Sequence, residues 1–515
     1  MSSKTQPIPA PVVETAAGKV EGQTLSLNNR PSVSVFKGIP YGASTAGAGR
    51  FMPPRKAEPW TGVREALEAG PRSPHPPFNP PPGPLSEMGT DTATVGEACL
   101  CLNVWSPGLD SRKRPVMVWL HGGAFSFGSG GQPVYAGTEL ASKRDVVAVT
   151  VNHRLNLFGY LYLAHLSEKY ADSGNAGMLD IVEALEWVRD NIAQFGGDPG
   201  NVTIFGESGG GMKVTALMAM PVAKGLFHRA IVQSGAFLQG MPPARGAEIT
   251  AAVLAYLGLK PNHVDELQRV PMERLQDAIS AIPGGPLAIA PVMDGRSLPR
   301  HPFDPDAPAI SADVPLLIGS NATETTLLGP PVTDLDDATL HAQTKARMKI
   351  DDAAARRLLA VYKEAHRDNV EAWLALESDR FMRINSIRQA ERKAGQGASP
   401  VYMYYFAWRT PVMGGYLRSA HALEIPFVFD HVDVWSGFTG TSQDRYALAD
   451  GMSAAWVEFA RSGKPSAPGL PEWPAYTAAH RATMILDSES SVVNDPAREQ
   501  RLAFEASGGG SVSLF

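Results

Sequence analysis

Gly206-Glu207-Ser208-Gly209-Gly210 sets a serine between glycines, just after four strand-forming residues (202–205) and just before a helix-compatible run (212–220). A serine at the tip of so sharp a turn sits in strained backbone and needs neighbours without side chains. The turn would lift the Ser208 hydroxyl above a sheet and bring the Gly209 amide to a helix N-terminus, where negative charge is favoured. The chemistry this points to is nucleophilic attack. A serine hydroxyl attacks poorly until a base takes its proton, and the base needs a group that fixes its tautomer.

Where a strand leads into such an elbow, the partners follow in the chain order serine, acid, histidine. His421, in Ser419-Ala420-His421-Ala422-Leu423-Glu424, is the candidate base, with His431 a neighbour that competes for the role. Glu324, just past the apolar run 316–318, is the candidate acid; on spacing alone Asp313 and Asp336 compete with it. The tetrahedral intermediate of such a reaction carries an oxyanion that needs preorganised amide donors. His121-Gly122-Gly123-Ala124-Phe125 leaves an apolar run in the manner of an oxyanion loop, which nominates the backbone amides of Gly123, Ala124 and Gly209.

Elements able to hold these residues are legible around them. Residues 116–120 and 146–151 are continuous apolar runs of the kind buried in a parallel sheet, with further strands expected at 230–232, 316–318 and 401–406. Ile181, Leu185, Val188 and Ile192 recur at helical spacing, and Gly196-Gly197 with Asp198-Pro199 ends that helix and turns the chain toward the nucleophile strand. The first 40 residues read as short antiparallel strands, and residues 334–393 as a charged helical excursion between two strands. The proline-dense stretch 74–84 is a stiff loop, either a surface linker or a pocket wall; Gly508-Gly509-Gly510 suggests a flexible tail.

Composition narrows the class. With 515 residues, 44% hydrophobic and 19% charged, the chain has ample material for a sizeable core. A net charge of −6 without a basic cluster argues against a nucleic-acid partner, and no apolar run approaches membrane-spanning length. The N-terminal residues lack the apolar segment of a signal peptide, from which a cytoplasmic location is expected. Cys99 and Cys101, two apart in an alternating run, would share one face of a strand; they are expected to be free structural thiols. No further ligands accompany them, and no metal site is expected.

Taken together, these motifs resemble the type-B carboxylesterase family, which contains cholinesterases and bacterial para-nitrobenzyl esterases. The likeness spans nearly the whole chain. It is carried by Phe36-Lys37-Gly38-Ile39-Pro40-Tyr41, Arg50-Phe51, residues 99–105, 121–125, Asn152-His153-Arg154-Leu155, residues 195–199, 205–210, 319–324 and 421–427. The resemblance implies one α/β-hydrolase domain over residues 1–515, with a large mostly parallel central sheet flanked by helices and with helical and loop excursions. It implies Ser208 as nucleophile, Glu324 as acid, His421 as base and the three amides as the oxyanion hole. No cofactor is implied. The expected substrate is a small uncharged ester and the expected state a monomer or small homo-oligomer. Amides, carbamates or thioesters would suit the same machinery, and a non-catalytic binding protein on the same fold is the alternative of another class. Several departures stand out. Gly209 occupies a position where relatives commonly carry alanine, and Lys213, where small residues are usual, is expected to pair with a nearby carboxylate. Ser73 stands where secreted relatives carry a disulfide cysteine, and Thr325 follows Glu324 where glycine is common. Glu207, before the nucleophile, either tunes the local field or holds a structural hydrogen bond.

Overall fold

A computed structural model describes residues 10–28, 30–75, 83, 84, 86, 91–328 and 331–508. Its first strands are short: β1 (Val12–Thr15), β2 (Gly18–Glu21), β3 (Gln23–Leu25), β4 (Val33–Pro40) and β5 (Val63–Glu65). β1 and β2 pair antiparallel and β5 adds in parallel, making a small three-stranded sheet. β3 and β4 instead open the main sheet.

The main sheet continues with β6 (Cys101–Ser106), β7 (Arg114–Leu120), β8 (Val147–Val151), β9 (Gly197–Glu207), β10 (Arg229–Gln233), β11 (Leu316–Asn321), β12 (Val401–Phe406), β13 (Ala482–Leu486) and β14 (Ser491–Asn494). Its spatial order is β14-β13-β12-β11-β10-β9-β7-β8-β6-β4-β3. Every pairing from β13 to β8 is parallel and the pairings at both edges are antiparallel, so the expectation of a mostly parallel sheet holds.

The continuous apolar runs are explained by burial on two faces. In β7, Val116, Val118 and Leu120 join one core, while Met117 and Trp119 join the other; β9, β10 and β11 divide in the same way. The first face is covered by α1 (Ala176–Asn191), which presents Ile181, Leu185 and Val188, and by α2 (Gly209–Leu217). On the other face Trp119 meets Phe205 and Phe429 with ring centres 4.9 and 5.1 Å apart, under Met452, Trp456 and Phe459. Such aromatic pairs add about 0.5–1.5 kcal/mol each beyond the area they bury.

The helical excursion comprises α3 (Asp337–Met348), α4 (Asp352–Ala365), α5 (Asn369–Ser378) and α6 (Ile384–Gly395), the last two joined by a π-helical turn at Asp379–Arg383. Asp336, Asp351 and Asp368 cap the first three, each carboxylate accepting from the backbone amide three residues on. A cap of this kind contributes about 1 kcal/mol. α7 (Asp444–Ser462) carries Met452, Trp456 and Phe459.

Local boundaries differ from the sequence reading. The nucleophile strand begins at Gly197 rather than 202, because Gly196, at φ 78°, ends the preceding turn in one residue. The following helix runs from Gly209 to Leu217, starting earlier than 212 because the elbow itself supplies its first turn. Cys99 lies before β6, not within it; both cysteines are nonetheless free and buried. Ser73 accepts from the Leu155 amide at 3.0 Å, and the Pro71 and Pro74 carbonyls accept from Asn152 and Asn156, which anchors the start of the proline-dense stretch without a disulfide. Residues 76–82 of that stretch, and residues 509 and 510 of the expected tail, lie outside the described residues.

Candidate active site

The candidate residues stand at the C-terminal ends of neighbouring parallel strands, where open α/β sheets gather their sites. β9 ends at Glu207 and delivers Ser208; β11 ends at Asn321 and delivers Glu324; β7 ends at Leu120 and delivers residues 121–124. His421 arrives on the segment that follows β12.

Ser208 has φ 54° and ψ −121°, a conformation that costs energy for any residue with a side chain. Its amide donates to the Gln233 carbonyl at 2.9 Å, tying the elbow to β10. A methyl group on Gly206 would lie 2.6 Å from the Leu120 carbonyl oxygen, and one on Gly210 would lie 1.9 Å from the same atom. Both glycines are therefore demanded by the closeness of β7, as well as by the turn.

His421 and Glu324 meet directly. The imidazole Nδ1 lies 2.6 Å from Glu324 Oε2, while Glu324 Oε1 accepts from the Ser234 hydroxyl at 2.7 Å and the Asn321 amide at 2.8 Å. Both residues are buried. In the neutral imidazole, with a carboxylate accepting at Nδ1, the proton sits there and Nε2 carries the lone pair. Phe381, in the π-helical turn, packs edge-on against the ring at 5.8 Å.

Glu207 also approaches the ring, its Oε1 3.2 Å from His421 Nε2 without forming a hydrogen bond. Burial works against a charged imidazole, yet the carboxylates of Glu207 and Glu324 outweigh it and raise the His421 pKa. Burial also raises the Glu207 carboxyl well above its usual range. The pull from Glu207 lasts only while that group is ionised, so Glu324, hydrogen-bonded at 2.6 Å, is the steadier cause.

The competing candidates lie elsewhere. His431 Nε2 faces the Val134 carbonyl at 2.5 Å, and burial lowers its pKa to about 4. Asp336 is the exposed cap of α3, and Asp313 is exposed.

A second buried network surrounds the His421 segment and was not foreseen from the sequence. Glu424 accepts from Gln233 Nε2 at 3.2 Å and Asn321 Nδ2 at 2.6 Å, Asn321 also donates to the Ala420 carbonyl, and Trp456 donates to Gln233 Oε1 at 3.1 Å. Glu424 lies in the segment that marks His421, but nothing in its spacing distinguishes it from a surface carboxylate.

The loop after β7 lies against the elbow. A methyl group on Gly122 would sit 3.6 Å from Ser208 Cβ, and among the described residues none accepts from the amides of Gly123, Ala124 or Gly209. Lys213 reaches the same loop. Its Nζ donates to the carbonyls of His121 and Ala124, each at 2.9 Å, and not to the carboxylate expected from the sequence.

Comparison with known proteins agrees with this architecture. Residues 9–505 match the model of the carboxylesterase family. The chain is 36% identical to the para-nitrobenzyl esterase of Bacillus subtilis, covering 95% of this chain and 97% of that protein. It is 34% identical to the phenmedipham hydrolase of Pseudarthrobacter oxydans, covering 96% and 99%. The crystal structure of a Geobacillus stearothermophilus carboxylesterase superposes with a TM-score of 0.82 at 39% identity, over 96% of this chain and 99% of that one. An α/β-hydrolase sheet with a serine elbow, matched over nearly its full length by esterases at this identity, places the chain in the carboxylesterase family, as a serine hydrolase that cleaves carboxylic esters through an acyl-enzyme.

Proposed function

We propose that Ser208 is the nucleophile of this ester hydrolysis, His421 its general base and Glu324 the acid that orients the base, with the amides of Gly123, Ala124 and Gly209 as the oxyanion hole. The observation that carries the assignment is the 2.6 Å hydrogen bond between His421 Nδ1 and Glu324 Oε2, which turns the basic Nε2 away from the acid. His421 takes the Ser208 proton as Oγ attacks the ester carbonyl, and the developing oxyanion is met by amide donors worth about 3 kcal/mol each. The same imidazole then protonates the leaving alcohol. Water, deprotonated in turn by His421, attacks the acyl-enzyme, and collapse of the second tetrahedral intermediate frees the acid and Ser208. The substrate is a small uncharged ester.

The test is intact-mass analysis after treatment with an organophosphonate, with peptide mapping and a short-chain para-nitrophenyl ester assay. One adduct on Ser208 with loss of turnover is expected. Ser208→Ala and His421→Ala should each lower kcat by at least about a thousandfold, whereas His431→Ala keeps most of it. Turnover undiminished in Ser208→Ala would end this assignment.

A further inference from the structure

Lys213 is fully buried, and its ammonium is used by none of the steps above. Its surroundings hold no carboxylate partner among the described residues: Nζ faces two backbone carbonyls and stands 5.7 Å from the centre of the Phe125 ring. Beside it, His121 and His153 stack 4.9 Å apart. Each turns Nδ1 to a carbonyl, that of Gly122 and of Arg154, so each must carry its proton there. Burial, and then the nearby Lys213 charge, keep both rings neutral. An unpaired buried cation is costly and neutral apolar packing would serve the core better, so a role in the core alone does not account for it.

The loop it reaches is held at every carbonyl. The two peptide groups that would offer oxyanion donors have their carbonyls tied, Gly122 to the His121 ring and Gly123 to the amides of Ser126 and Phe127 at 3.1 and 3.0 Å. The peptides on either side end in the carbonyls of His121 and Ala124, and both of these are held by Lys213. Because N–H and C=O point opposite ways across a trans peptide, fixing these carbonyls fixes where the amides aim.

The helix supplies a matching space. Gly209 and Lys213 are four apart on α2 and so share one face. A methyl group on Gly209 would lie 2.2 Å from the Ala124 carbonyl oxygen and 2.4 Å from its nitrogen. The bare Gly209 lets Ala124 close onto the helix, and Lys213 draws it there.

We infer that Lys213 is a positioning residue for the oxyanion loop, clamping the peptides on either side of the Gly123 and Ala124 amides while Gly209 leaves room for the clamp to close. This role rests on the oxyanion reading above. Burial lowers the amine's pKa to about 7, and the neutral amine still carries the two N–H bonds that two carbonyls need, so the tether survives deprotonation.

The test compares the parent, Lys213→Met and Ser208→Ala for para-nitrophenyl acetate kinetics, affinity for an aryl trifluoromethyl ketone and thermal midpoint. The ketone forms a reversible hemiketal with a serine and places an oxyanion in the hole. Lys213→Met should lower kcat about 10- to 100-fold, weaken the ketone by a similar factor and leave KM within about threefold, while the thermal midpoint holds or rises. Unchanged kcat and ketone affinity in Lys213→Met would overturn the role. A folding failure would overturn it too, assigning Lys213 to the core. Ser208→Ala must lose the ketone altogether; retention there would overturn the reading of the site itself. Gly209→Ala should also lose kcat, and adding Lys213→Ser should restore part of it by letting Ala124 step back. Losses that simply multiply in the double variant would count against the clamp.

Discussion

Among the single residues, Glu207 offers the sharpest pH signature. A base works only when unprotonated, so with His421 as the proposed base its raised pKa should move the acidic limb of kcat/KM above the ordinary histidine range. Glu207→Gln removes one of the three carboxylates that raise it, Glu207, Glu324 and Glu424, so the limb should move to lower pH in a profile with a short-chain ester. A limb that stays in place would mean Glu207 exerts no pull at that pH, leaving Glu324 and Glu424 to raise the base. The sequence spoke clearly for Ser208, since a serine elbow needs glycines at fixed offsets and Gly206 and Gly210 have no room for anything else. It spoke weakly for Glu324 and His421, which no local pattern separates from Asp336 or His431; only the geometry brings the first pair to 2.6 Å. Lys213 was misjudged because a lysine's usual partner is a carboxylate, whereas here the nearest acceptors are carbonyls of a loop some 90 residues away in the chain.

At the level of elements, what joins α1 to the segment after β8 is a buried ion pair. Arg154 Nε and Nη2 donate to the two Asp180 carboxylate oxygens at 2.8 and 2.6 Å, and Nη1 donates to the Met52 carbonyl. Removing one member strands the other charge in the core. Asp180→Asn should therefore cost about 3–5 kcal/mol and lower the thermal midpoint, and the double variant Arg154→Met/Asp180→Leu should lose less than the single change. Equal losses in both would show that packing, not the charge, dominates. Helix α7 and strand β13 went unread, while α1 and the parallel strands β7 to β12 were legible from their hydrophobic pattern. Their ends were not, because Gly196 and the elbow set boundaries through backbone angles that hydrophobic pattern does not encode. The excursion from α3 to α6 was legible as helix, but the π-helical turn that sets Phe381 against His421 leaves no mark in composition.

Across the whole molecule, the two thiols report on opening of the fold. Burial raises both Cys99 and Cys101, the latter to about 12, so neither offers a reactive thiolate near neutrality. Iodoacetamide should label no cysteine in the native protein and two after denaturation, as read by mass; fast labelling of the native chain would mean that β6 and its surroundings open locally. The parallel strands from β7 to β12 were readable from sequence and β13 and β14 were not. The order was hidden because β9 pairs with β7 and not with β8 before it, and β11 pairs with β12 across the whole helical excursion. That dispersal governs timing during synthesis. His421 follows Ser208 by 213 residues (421 − 208), which at about 5–20 residues per second is roughly 10–40 s of translation. A nascent chain with its serine already made is still without its histidine, so under the proposed assignment hydrolytic activity cannot appear before residue 421 has been added and folded into place.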